Sequence, residues 1–144
     1  MAKIWASILA LAALLFVPVL AGAEEVPDVV GSWAGVGSVV ILGSSDHFPE
    51  LSSEDLTYGD EMSYTLVIEE QNGRRFAGIR FLTEKPDISE AVLGVIGFDD
   101  ETIYMVDEDG HLDGRLISST EMELVYREVD PDGMIVAISR YTKT

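Results

Sequence analysis

Apolar and polar residues alternate with a period of two along most of this chain, and turn dipeptides interrupt the alternation. The clearest run is 62–69, where Met62, Tyr64, Leu66 and Ile68 share one face and Ser63, Thr65, Val67 and Glu69 the other. Successive side chains of an extended chain point to opposite faces, so this run predicts a strand with one buried face. Asn72-Gly73 follows; both residues tolerate positive φ, and the tight turn they favour sends 74–84 back alongside. The same reading gives strands at 90–98, 101–106, 112–118, 121–129 and 134–143, separated by Asp99-Asp100, Asp109-Gly110, Ser119-Thr120 and Asp130-Pro131-Asp132-Gly133. With 30–42 as the first, eight strands are predicted. Short hairpins between them predict an all-β fold, a single eight-stranded antiparallel up-and-down barrel, because closing the sheet removes the edges at which strands aggregate.

One connection breaks the rhythm. Residues 43–61 are long for a hairpin loop and carry Phe48, Leu51, Leu56 and Tyr58 among acids. Such loops commonly serve as lids, and this one is expected to be a partly ordered flap over one barrel mouth. Within it, Ser52-Ser53-Glu54-Asp55 resembles the capped start of a helix.

The N-terminus follows another pattern. Lys3, an uncharged run over 4–20 and then Ala21-Gly22-Ala23 form a secretory signal peptide, 1–23, with cleavage expected before Glu24. The chain has no cysteine, so a lipid anchor has no attachment point. The apolar run is close to bilayer length, but the small-residue site argues for cleavage and leaves no membrane span. Residues 24–144 then form one domain around one core. Export without disulfides fits a prokaryotic envelope, and a secreted or periplasmic location is expected. An outer-membrane barrel would need an apolar outer stripe with aromatic girdles; Ser63, Thr65, Glu69, Glu121, Glu123 and Arg127 do not supply it.

Charge narrows the partners. After Ala23 the chain holds eight basic and 26 acidic residues, a formal charge of −18. A nucleic-acid phosphate backbone needs a basic face, so such binding is excluded. The acidity serves solubility or life at high salt, and it leaves a basic protein partner or cations open.

Gly31-Ser32-Trp33 opens the first strand, Arg140 lies in the last, and Phe76-Ala77-Gly78 follows the Asn-Gly hairpin. This arrangement resembles the calycin barrels, the lipocalins and avidin-like proteins, where a Gly-x-Trp packs against a basic side chain from the last strand. The resemblance implies a scaffold that binds lipids, biotin, haem, peptides or proteases. Trp33 is the one tryptophan after Ala23, so the several tryptophans of biotin binders are missing.

The candidate chemistry is sparse. Strand phase puts Trp33 with Gly35, Gly37 and Val39, and Arg140 with Val136 and Ile138, which predicts a Trp33–Arg140 plug at the barrel base. Arg80 shares a face with Phe76, Gly78 and Leu82, where a guanidinium needs a counter-charge or an anionic ligand. The expected ligand-binding set is Arg80 with interior Tyr64, Tyr104 and Tyr126, and Phe48 and Tyr58 from the flap. Residues 107–113 place acids around Gly110 but lack the ligands of a calcium loop at His111 and Ser118, so an acidic hairpin is the better reading, with weak cation binding at Asp99, Asp100, Asp107 and Asp109 left over. Neither His47 nor His111 has metal-ligand spacing, no nucleophile elbow is present, and no catalytic residue, metal or cofactor is assigned. Three readings stand: an exported non-catalytic barrel binding a small amphipathic or anionic ligand, an interaction module such as a protease inhibitor, and a small barrel enzyme.

Overall fold

The computed structural model describes residues 25–144; the signal peptide expected from the sequence lies outside the described residues. Strands β1 (Gly31–Gly43), β2 (Ser53–Asn72), β3 (Arg75–Leu82), β4 (Glu90–Ile96), β5 (Thr102–Val106), β6 (His111–Leu116), β7 (Glu121–Val129) and β8 (Gly133–Lys143) form a closed barrel in chain order. All neighbours are antiparallel, and β8 returns to β1 from Trp33↔Lys143 to Gly43↔Gly133. The eight-stranded up-and-down barrel expected from the alternation is therefore the fold. Gly73, with φ of 60°, turns β2 into β3 as the Asn-Gly pair requires.

This topology gives the barrel two unlike ends. The β1–β2, β3–β4, β5–β6 and β7–β8 connections all lie at one end, here called the mouth. The base is closed by Trp33, which is fully buried and donates its indole N–H to the Val29 carbonyl at 2.9 Å. Between mouth and base the inward positions of the alternating strands, among them Leu66, Ile68, Ile103, Leu112 and Leu124, fill the interior.

Two expectations need correction at this level. Arg140 is not part of the base plug: it points outward and pairs with Glu123, while Ile135, Ala137, Ser139 and Tyr141 face in. A one-residue change of phase exchanges the two faces of a strand; the β1 register, which opposes Gly35 to Tyr141, sets the phase of β8. The basic side chain over Trp33 is instead Lys143, whose Nζ lies 5.4 Å from the ring centre. The predicted flap is also shorter than expected. β2 begins at Ser53, where a helix start was expected, and pairs back along β1 through a bulge at Glu61, whose φ is 56°. Leu56 and Tyr58 lie exposed on that ribbon.

What remains of the flap is the loop 44–52. Its single 3-10 turn, Pro49–Leu51, drops Phe48 into the core, where it is 2% exposed. Ser52 holds the loop shut: its Oγ accepts the Ser45 N–H at 2.9 Å and lies 3.3 Å from the Ser45 and Phe48 carbonyls. Among the described residues no helix is long and apolar enough to cross a membrane.

Candidate functional site

On the mouth side of Tyr64 the interior is mixed: Val39, Ile41, Ile135 and Ala137 keep the β1–β8 side apolar, while polar groups gather across from them. Arg80 is 7% exposed, as its strand phase predicts. Its guanidinium carbon lies 4.9 Å from the ring centres of both Tyr64 and Tyr126, so the cation is held between two aromatic faces. Its Nε donates to the Tyr141 hydroxyl at 3.4 Å, and one terminal nitrogen reaches Asp107 Oδ2 at 3.5 Å. The Asp107 side chain is fully buried. Arg80 therefore has its counter-charge inside the protein, and Asp107 belongs to the interior although it opens a turn. Its other oxygen accepts the Gly110 N–H at 2.7 Å, closing the β5–β6 turn; a Cβ at Gly110 would strike the Tyr126 ring at 2.5 Å.

Above Arg80, the connections at the mouth each contribute a titratable group. His47 comes from the loop 44–52, Glu90 from the start of β4, Asp109 from the β5–β6 turn, and Glu128 from the end of β7. The His47 Nε2 lies 3.4 Å from Glu128, 3.5 Å from Glu90 and 3.7 Å from Asp109. Tyr126 donates its hydroxyl to Glu128 at 2.6 Å and stands 3.3 Å from the same His47 nitrogen. Burial pushes the Glu90 carboxyl up to about 7, the nearby His47 opposing the shift. Burial also raises Glu128, and it raises the Tyr64 phenol to about 12. Desolvation disfavours each anion, so the chamber holds protons more tightly than water would.

Below the loop lies a cavity of about 20 Å³, lined on its polar side by His47, Glu90, Arg80, Tyr64 and Tyr126 and on its apolar side by Phe48, Leu82 and Ile88. That is space for one water. Tyr64 is 1% exposed, and among the described residues its hydroxyl has no partner at full hydrogen-bond geometry, with Ser139 standing beside it.

Of the residues expected to bind a ligand, Arg80, Tyr64, Tyr126 and Phe48 meet at this cavity. Tyr104 and Tyr58 do not: they are 52% and 69% exposed on outer faces. β5 has apolar residues in both phases, and Ile103 and Met105 take the inside, leaving Tyr104 beside Val95 on the outer surface. His47, Glu90 and Glu128 were missed, and Asp107 was read only as a turn acid open to weak cation binding. No local spacing links them, because they meet only through barrel closure; inward phase alone could have marked Glu90 and Glu128. Asp99 and Asp100 are absorbed at the opposite end, Asp99 capping Thr102 and Asp100 pairing with Arg74.

No protein-family model matches the chain, and no curated protein matches it. Among solved structures, an S-type phycobiliprotein lyase from Guillardia theta is similar, at 12% identity over 81% of this chain and 88% of that one, with a TM-score of 0.34. So loose a likeness assigns neither a ligand nor an activity.

Proposed function

We propose that this chain is an exported, calycin-like barrel that binds a small amphipathic molecule at its mouth, beneath the loop 44–52. The observation that supports this reading is the polar chamber itself. A barrel selected only for stability gains from filling its interior with apolar side chains, and replacing a buried ion pair by such residues is often neutral or stabilising. Here Arg80, Asp107, Glu128 and Tyr126 occupy buried positions next to a cavity that also has an apolar wall. Because Arg80 is already paired with Asp107, a neutral or cationic polar end suits the site better than an anionic one. A ligand of more than a few atoms requires the loop to lift, since the resting cavity takes one water. The basic residue over Trp33 fits the calycin pattern, with Lys143 in the role expected of Arg140. Limited proteolysis tests the gate: cleavage within 44–52 should slow when an organic extract of the producing cells is added. Cleavage there at the same rate with every extract would count against a ligand under the loop.

A second reading, a small barrel enzyme, has its own support. Tyr126, Glu128, His47 and Glu90 are linked at the mouth, and a carboxyl at about 7 is suited to proton transfer near neutral pH. Conversion of the retained molecule, seen as a mass change on incubation and lost in Glu90→Gln, would favour this reading over simple binding.

A further inference from the structure

We infer that His47, Glu90 and Asp109 form a site for one divalent transition-metal cation of the Zn²⁺ kind at the barrel mouth. The starting point is the crowding around one nitrogen. His47 Nε2 has oxygens of Tyr126, Glu128, Glu90 and Asp109 at 3.3, 3.4, 3.5 and 3.7 Å. Tyr126 gives its proton to Glu128, so it presents lone pairs to the imidazole. An imidazole nitrogen carries at most one proton, which does not reach all of these oxygens. Glu128 has the Tyr126 proton, and a cation shared by His47, Glu90 and Asp109 meets the other two carboxylates.

The spacing suits coordination. The His47, Glu90 and Asp109 donor atoms all lie within 4.8 Å of one another. Donors bound tetrahedrally at about 2.0–2.2 Å stand about 3.4 Å apart, so small side-chain movements bring the three onto one ion. The imidazole favours zinc and its neighbours over calcium or magnesium, which prefer all-oxygen sites. Three protein ligands leave a fourth position open. His47 and Glu90 also line the one-water cavity beneath the loop, which leaves room for a water in that open position. Glu128 and Tyr126 would stand behind the ligands and orient them, as outer groups do at metal sites. Asp109 is 48% exposed, which gives the ion a way in. A bound ion would tie the loop 44–52 to β4 and to the β5–β6 turn. The ion would share His47 and Glu90 with the cavity of the organic ligand proposed above, but the inference rests on the donor geometry and not on that ligand.

Zn²⁺ titration of the EDTA-stripped full chain, followed by calorimetry in 0.5 M NaCl with millimolar Ca²⁺ to occupy the diffuse acidic surface, tests it. One Zn²⁺ per chain is expected, with the His47 ring nitrogen resonances shifting on addition. Affinity should fall by at least about tenfold in Glu90→Gln and in His47→Ala, as it does when groups around a bound metal are removed, and should hold in Glu121→Gln on the outer face of β7. Glu90→Gln preserves shape and His47 lies in a loop, and circular dichroism of each metal-free variant checks that the barrel persists. Absence of saturable uptake, or uptake unchanged in both folded variants, would overturn the site.

Discussion

Removal of the Arg80 guanidinium is the most informative perturbation of the chamber. Arg80→Met keeps an unbranched chain of similar length but deletes two aromatic cation contacts and the partner of a fully buried carboxylate. Breaking a buried pair on one side costs about 3–5 kcal/mol when the remaining charge has no escape. Asp107 keeps the Gly110 N–H as a donor, which offsets part of that cost, so the expected loss is about 2–3 kcal/mol. For a domain of this size that lowers the melting temperature by roughly 10 °C. Asp107→Asn should cost more, since it leaves a guanidinium that does not deprotonate, while the double variant should lose clearly less than the two singles together. Thermal melts by circular dichroism at neutral pH provide the assay. Additive losses, or an Arg80→Met melt unchanged from that of the native protein, would show that Arg80 and Asp107 do not act as a buried pair.

Other regions give separate tests. Arg140→Ala should leave the melt unchanged because its Glu123 pair lies in solvent, whereas Trp33→Ala should cost about 3–5 kcal/mol through loss of the base plug; reversed effects would restore the Arg140 plug. The Thr102 hydroxyl, with backbone N–H groups, holds Asp99 down to about 2, so the contribution of this turn should be complete above the unfolded value and be lost progressively as pH falls from there through about 2. Thr102 amide shifts report this, and a midpoint near 4 would contradict it. Ser52→Ala removes the stitch across the loop and should speed proteolysis within 44–52 while leaving the barrel folded. N-terminal sequencing of protein taken from the cell envelope should begin at Glu24, and a start at Met1 would remove the export proposal.

Strand existence was legible because a half-buried strand writes its period of two directly into the sequence, and Asn72-Gly73 is read from backbone chemistry alone. Phase was legible only where one face was polar. Met62 to Ile68 met that condition, whereas β8 offers Val136 and Ile138 on one face and Ile135, Ala137 and Tyr141 on the other, which is why Arg140 was placed inside. Tyr104 failed for the same reason. The extension of β2 back to Ser53 left no alternation, since that ribbon is exposed at Glu54, Asp55, Leu56 and Tyr58. Arg80, Tyr64, Tyr126 and Phe48 could be nominated as interior or loop residues, but their convergence with His47, Glu90 and Asp107 arises from strand closure across long sequence separations, 79 residues for His47 and Tyr126. No local pattern carries that information.

Binding beneath the loop is tested most directly by native mass spectrometry of the protein isolated unheated from its own source. The proposed function predicts a non-covalent organic mass, beyond that of any metal ion, retained by the native chain and absent from a folded Phe48→Asp variant, in which a carboxylate replaces the apolar wall of the cavity. A native chain that carries no organic mass, or carries one equally well with Phe48 replaced, would contradict it.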